Sequence, residues 1–175
     1  GFDILTQQAL VRRVIGYVPQ MISADGTLTG YENLLMFAKL YDVPAGERAE
    51  RIGDSLKLME LEAASTRLVR EYSGGMIRRL EIAQAMLHRP RVLFLDEPTI
   101  GLDPIARASV WSRLKELRAQ FGTTIFLTTH DMEEADGLCD RIAIMAKGSL
   151  AVCGPPAELK ASVGKPEASM DDVFV

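Results

Sequence analysis

The chain has 175 residues, 47% of them hydrophobic and 25% charged, which fits one domain's worth of packed core and excludes a disordered segment. A formal net charge of -4 and a pI near 5.3 argue against a nucleic-acid partner, because neutralising phosphates takes a clustered basic excess. Cys139 and Cys153 are too few and too isolated for a zinc site and read as packing residues in a reducing compartment, and no apolar run reaches the roughly eighteen residues that cross a bilayer, so a membrane role would come only through a partner.

In chain order, residues 14–18 form a short β-rich run stopped by Pro19, and residues 23–29 read as a loop. Thr29-Gly30-Tyr31-Glu32 has the spacing of a capping box, and Leu34, Leu35, Phe37, Ala38 and Tyr41 supply the apolar stripe of the helix it opens. A second helix is predicted over residues 45–60, after Pro44. Ser73-Gly74-Gly75 opens a third, with Met76, Ile77, Leu80, Ala83 and Leu87 facing inward and Arg78, Arg79, Glu81 and Gln84 facing solvent. His88, near its end, reads as a partner for the helix dipole.

From Arg91 the texture becomes strand, helix, strand, over residues 92–95, 104–120 and 124–128. That is a βαβ unit, with parallel strands and a right-handed crossover. Residues 140–146 and 150–153 read as two strands joined by a turn at Lys147-Gly148-Ser149. Gly154-Pro155-Pro156 starts a last helix that Gly164 ends, and residues 165–175 read as a loosely held tail.

Three places carry chemistry. The strand ending at Leu95 delivers Asp96 and Glu97 to the carboxyl edge of a parallel sheet, where ligands of open α/β sheets collect and where a carboxylate can hold a metal ion. His130 follows the second strand of the βαβ unit, at the same edge. Ser73-Gly74-Gly75 at a helix start lets backbone N–H groups approach an anion that the helix dipole favours. Taken singly, each has a plain alternative: a solvated acidic turn, a turn histidine, a serine cap. Asp131 with Glu134 has the spacing to cap the helix after His130.

The ordered set Tyr17-Val18-Pro19-Gln20, Tyr72-Ser73-Gly74-Gly75-Met76, Leu93-Phe94-Leu95-Asp96-Glu97-Pro98-Thr99, Gly101-Leu102-Asp103-Pro104 and Thr128-Thr129-His130 resembles an ATP-binding-cassette (ABC) transporter ATPase subunit. Leu28-Thr29-Gly30-Tyr31-Glu32-Asn33-Leu34 and the Tyr-Ser-Gly-Gly-Met signature are most similar to multidrug or antibiotic exporters of the daunorubicin-resistance type. The resemblance implies an α/β fold with a P-loop NTPase-like (RecA-like) parallel-sheet core and an inserted α-helical signature subdomain. It implies four segments: residues 1–28 as the Q-loop strand and loop, 29–89 as the helical signature subdomain, 90–164 as the core with Walker B, D-loop and H-loop, and 165–175 as a tail.

By the same resemblance, Gln20 is the Q-loop glutamine that reaches Mg²⁺ and the attacking water. Ser73, Gly74 and Gly75 are the signature that grips the γ-phosphate of ATP on a partner cassette. Asp96 is the Walker B ligand of Mg²⁺, Glu97 the general base, His130 the switch histidine, and Asp103 the D-loop aspartate that couples the two sites. The implied cofactors are ATP and Mg²⁺. The implied partners are a transmembrane permease subunit and a second nucleotide-binding domain, with no nucleic acid, which would place the protein in the cytoplasm, peripheral at the inner face of the cell membrane. Ile77 and Gln84 stand where relatives often carry arginine.

One departure is large. None of the fourteen glycines belongs to a Gly-x-x-x-x-Gly-Lys-Ser/Thr motif; the single Gly-Lys pair, Gly164-Lys165, is followed by Pro166. That loop normally cradles the β- and γ-phosphates. The chain therefore reads as a piece of a longer cassette, missing its P-loop strand between the strands at 124–128 and 140–146. Those two strands are expected to collapse together or to recruit a partner, because bare strand edges invite pairing. The complete protein would hydrolyse ATP to drive export of a drug-like or lipid-like substrate, while the chain alone would not be catalytic. The alternatives are a non-catalytic partner-binding module and an ABC-type ATPase of DNA repair or chromosome organisation.

Overall fold

A computed structural model describes residues 1–165 and 167–174. The chain divides into two compact units, Gly1–Thr128 and Thr129–Val175. The first contains, in order, α1 (Gln8–Val14), β1 (Ile15–Val18), α2 (Gly30–Leu40), α3 (Arg48–Leu58), α4 (Gly74–Met86), β2 (Val92–Asp96), α5 (Pro104–Phe121) and β3 (Thr124–Thr128). The second contains α6 (Met132–Leu138), β4 (Ile142–Ala146), β5 (Ser149–Gly154), α7 (Pro156–Ser162) and α8 (Met170–Phe174). This is an α/β fold.

The first unit is built on a parallel sheet in the order β1-β2-β3, with Tyr17, Phe94 and Phe126 in register across it. β2 lies in the middle, and Leu93 and Leu95 point alternately with Phe94, as strand geometry requires. Leu80 and Ile82 of α4, Leu93 and Leu95 of β2, and Leu114 and Leu117 of α5 are fully buried. Each such side chain stabilises the fold by about 1.5–3 kcal/mol, so this apolar set dominates the packing. Gly16 lets β1 lie close to α4 and to the chain entering β2: a Cβ there would sit 2.5 Å from the Ala85 carbonyl oxygen and 3.2 Å from Pro90.

Local signals account for most helix boundaries. The capping box at α2 is formed as its spacing predicts: the Thr29 hydroxyl accepts from the Glu32 N–H, and the Glu32 carboxylate accepts from the Thr29 N–H at 2.8 Å. The helix predicted over 45–60 is a short 3-10 turn at Ala45–Glu47 followed by α3. α5 ends where Gly122 takes a φ of 63°, its N–H donating to the Arg118 carbonyl. α1 has no buried residue and no sequence stripe to announce it, and it takes Val14 out of the first predicted strand.

Three expectations need correction. The polar face of α4 is not in solvent: Arg78, Glu81 and Gln84 are 6%, 2% and 1% exposed. Polarity along a helix marks a wet face only when no distant segment supplies partners, and here the loop after β1 does. The tail is not loose, because α8 forms and buries Met170 in a second core with Ala135, Ile142, Ile144 and Leu159; Pro166 and Val175 lie outside the described residues. Of the two cysteines, Cys139 packs against that core while Cys153 is exposed.

Among the described residues β3 pairs with β2, with Phe126 57% exposed, and β4 pairs antiparallel with β5. Lys147 and Gly148 take φ values of 50° and 77°, the two-residue turn whose twist suits a hairpin, so the local partner is the one β4 takes.

Two further contacts generate tests. His88 is half-buried just past α4, its Nε2 donating to the Ile15 carbonyl at 2.8 Å and its ring stacked on Tyr41 with centroids 4.1 Å apart. Among the described residues Nδ1 has no hydrogen-bond partner. Burial lowers the imidazole pKa, the Ile15 bond partly opposes this, and the nearby Arg51 charge adds to it. The role expected of His88, a cation at the helix end, is therefore the disfavoured one. A depressed folded-state pKa means that the unfolded chain takes up the proton first. Stability is then held above about pH 6.5 and lost as pH falls below it. Denaturant unfolding from pH 7.5 down to pH 5 should show wild type losing stability relative to His88→Gln, a difference in which His130 cancels; a pH-independent difference would contradict the assignment.

The starts of α4 and α5 meet at Gly75, where a Cβ would lie 2.9 Å from the Ala106 Cβ. Gly75→Ala should destabilise by about 1–3 kcal/mol, as overpacking does. Ala106→Gly in the same chain should recover part of that loss in thermal melts; strict additivity of the two changes would show that the contact is not the cause.

Candidate functional site

Asp96 and Glu97 stand at the carboxyl end of the central strand, as the sequence predicts, and the register puts Thr128 directly beside Asp96. The Thr128 hydroxyl donates to Asp96 Oδ1 at 2.6 Å, which fixes the rotamer of the carboxylate. The Glu97 N–H extends the ladder by donating to the Thr128 carbonyl at 3.1 Å and lies 3.2 Å from the Thr128 hydroxyl oxygen. Thr128 thus holds the Asp96 carboxylate and the Glu97 backbone.

Glu97 itself takes a φ of 48°, a left-handed conformation that costs free energy in any residue with a Cβ. The turn that follows explains how it is held: the Ile100 N–H donates to the Glu97 carbonyl, the Leu102 N–H to that of Thr99, and Gly101 supplies a φ of 73°. Such strain concentrates at functional positions because it aims a side chain where a relaxed strand would not. Thr99, 3% exposed, and buried Pro98 anchor the turn.

Asp103 is the N-cap of α5, one carboxylate oxygen accepting from the Ile105 and Ala106 N–H groups at 2.9 Å each, with Pro104 in the first helical position. This structural role was legible in the Asp-Pro pair. Ser73 is the N-cap of α4, its hydroxyl accepting from the Met76 N–H at 3.3 Å; Gly74 is exposed and Gly75 buried against Ala106. The serine-cap reading and the anion reading are therefore compatible. The first turns of the two helices border a cleft of about 360 Å³ lined by Ser73, Met76, Arg79, Asp103, Ile105 and Ala106. Two helix N-termini and the Arg79 guanidinium make it favourable to an anion, with the Asp103 carboxylate already turned to its own helix.

Gln20 lies exposed in the loop after β1, whose carboxyl end shares the edge of β2 and β3. His130 belongs to the second compact unit, immediately before α6, and Asp131 caps that helix by accepting from the Glu134 N–H at 3.0 Å. The first unit thus assembles seven of the eight candidate residues. Arg78, Glu81 and Ser23 were not singled out by their sequence; the i, i+3 spacing of Arg78 and Glu81 was the available signal, and their burial was not.

Among the described residues no helix is long and apolar enough to cross a membrane. The sequence profile of the ABC transporter family matches residues 3–100. The chain is 43% identical over 164 residues to a daunorubicin/doxorubicin resistance ATP-binding protein of Streptomyces peucetius, covering 94% of this chain and 49% of that protein. It is 44% identical over 159 residues to a Nod factor export ATP-binding protein of Sinorhizobium fredii, covering 91% of this chain and 46% of the relative. The chain thus spans about half the length of the curated relatives it matches. A solved ATP-binding subunit of an ABC transporter superposes with a TM-score of 0.82 at 28% identity, over 99% of this chain and 72% of that one. Matched by the family over more than half its length and superposing on a solved ATP-binding subunit, the chain belongs to the ABC transporter family.

Proposed function

We propose that this chain supplies the Walker B and signature halves of an ATP site, and that the complete protein couples ATP hydrolysis to export of a drug-like or lipid-like molecule through a separate transmembrane subunit. The observation that carries this reading is the end of β2, where Thr128 fixes Asp96 and a left-handed Glu97 follows. The names of the resistance and export relatives support the direction of transport.

Mg²⁺ fits these residues as an ion that arrives with its nucleotide. Among the described residues no cluster of three acidic, histidine or cysteine side chains could hold a metal alone, and Mg²⁺ takes one or two protein ligands, keeping waters and phosphate oxygens. Asp96 and Gln20 would hold it, and when bound it supplies charge neutralisation at the transferring phosphoryl group. Glu97 accepts a proton from the attacking water. His130 donates to the γ-phosphate. Ser73, Gly74 and Gly75 offer N–H groups to the γ-phosphate held by a second nucleotide-binding domain, and Asp103 sits between the two sites of that dimer. The division at residues 28, 89 and 164 follows these roles. The permease would hold the protein at the inner face of the membrane.

The chain alone is catalytically silent in this reading, because no Gly-Lys-Ser/Thr loop is present to hold the β- and γ-phosphates. Calorimetric titration of Mg²⁺-ATP should show no saturable binding by wild type or by Glu97→Gln. Saturable binding that tightens in Glu97→Gln would mean that another segment of this chain holds the phosphates. Mixed with a complete cassette, the chain should associate in an ATP-dependent way that Ser73→Arg abolishes; association indifferent to that change would remove the signature from the proposal.

A further inference from the structure

The buried polar face of α4 has partners far away in sequence. Arg78 donates from Nη1 to the Pro19 carbonyl at 2.7 Å and from Nη2 to the Gln20 carbonyl at 2.9 Å. Glu81 Oε1 accepts from the N–H and the hydroxyl of Ser23 at 2.5 and 3.0 Å. The two side chains pair with each other at 3.1 Å, through a Glu81 Oε2 that has no hydrogen-bond partner. One turn on, Gln84 donates to Asn33 Oδ1 at 3.3 Å, and Asn33 in turn accepts from the Asp25 N–H and donates to its carbonyl. Backbone groups at Pro19, Gln20, Ser23 and Asp25 are therefore held, directly or through Asn33, by one face of one helix.

We propose that Arg78 and Glu81 are positioning residues that fasten the Gln20 segment to the helix opened by Ser73, so that Gln20 and the α4 N-terminus move as one body. The chemistry of the pair supports this. A guanidinium fork can serve two adjacent carbonyls and a carboxylate at once, which an ammonium cannot. Lifting the loop would take from Glu81 its two Ser23 donors and from Arg78 its two carbonyl acceptors, leaving a buried ion pair with only its mutual contact, which is costly. The functional meaning rests on the reading of Gln20 and Ser73 as nucleotide contacts. The clamp would then link the site this chain's Gln20 serves with the one its signature serves on a partner.

Native-state hydrogen exchange of the chain, without nucleotide, tests the clamp apart from that reading. Arg78→Lys keeps the charge and removes the fork. It should accelerate exchange at residues 20–25 by about tenfold while changing residues 93–95 of the central strand less than about twofold, since local opening is separable from global unfolding. A pair that only stabilises the fold would accelerate both sets together, and that outcome, or no change in the loop, overturns the proposal. Should Arg78→Lys fail to fold, Ser23→Ala acts from the exposed side. It should accelerate the same loop amides severalfold and spare the strand, and unchanged loop exchange would overturn the proposal equally. Failure of the nucleotide reading would show as association with a complete cassette that is indifferent to ATP or to Ser73→Arg, and would leave these exchange rates as they are.

Discussion

Everything in the first unit leans on α4. It packs against β1, α2, α3 and α5, and its residues from Leu80 to Met86 are buried without interruption. A helix surrounded in this way has no solvent side on which to place polar groups at no cost. Its arginine, glutamate and glutamine are tolerable because each meets a partner brought by another element. Arg79, on the rim, is held differently: it donates from Nη1 to the Met59 carbonyl and pairs with Glu60. The apolar contacts give α4 its place, and the buried polar contacts decide which loops lie against it.

The groups at the end of β2 and at the two helix starts share a second constraint, which is that each is fixed by backbone or by one neighbouring hydroxyl and not by a rigid side-chain cluster. Asp103 and Ser73 are spent on capping, Glu97 is aimed by a left-handed backbone, and Asp96 is held by one hydroxyl of the neighbouring strand. Hydrogen-bond donors at the two helix starts and carboxylates at the strand end are thereby pre-oriented before any ligand arrives. Electrostatic stabilisation of a phosphoryl group gains from such fixed dipoles, because none must reorganise during reaction.

Much of this was legible in the sequence where the deciding interactions are local. The Thr29–Glu32 box, the Ser73 and Asp131 caps, the βαβ run and the carboxylates closing β2 all follow from residues within four positions of one another. What was illegible depends on distant partners. The partners of Arg78 lie 59 and 58 positions away, that of His88 lies 73 away, and no periodicity encodes them. Met170 looked like part of a polar tail because its core belongs to a different unit from the one that dominates the chain. The partner of β4 is local, β5 across a two-residue turn, which short loop closure favours.

The parallel sheet also implies an order of assembly. β2 and β3 are joined by a single helix, whereas β1 reaches β2 only after the whole stretch containing α2, α3 and α4 has been gathered in. Loop-closure entropy favours the shorter connection, so β2, α5 and β3 form the natural nucleus and β1 docks late. Until it docks, β2 has one side unpaired, and Arg78 and Glu81 lack the loop that satisfies them. The helix that holds the segment after β1 in the folded protein is thus an element whose buried charges find their partners only when the late strand arrives, which ties the chain's folding route to the geometry of that edge.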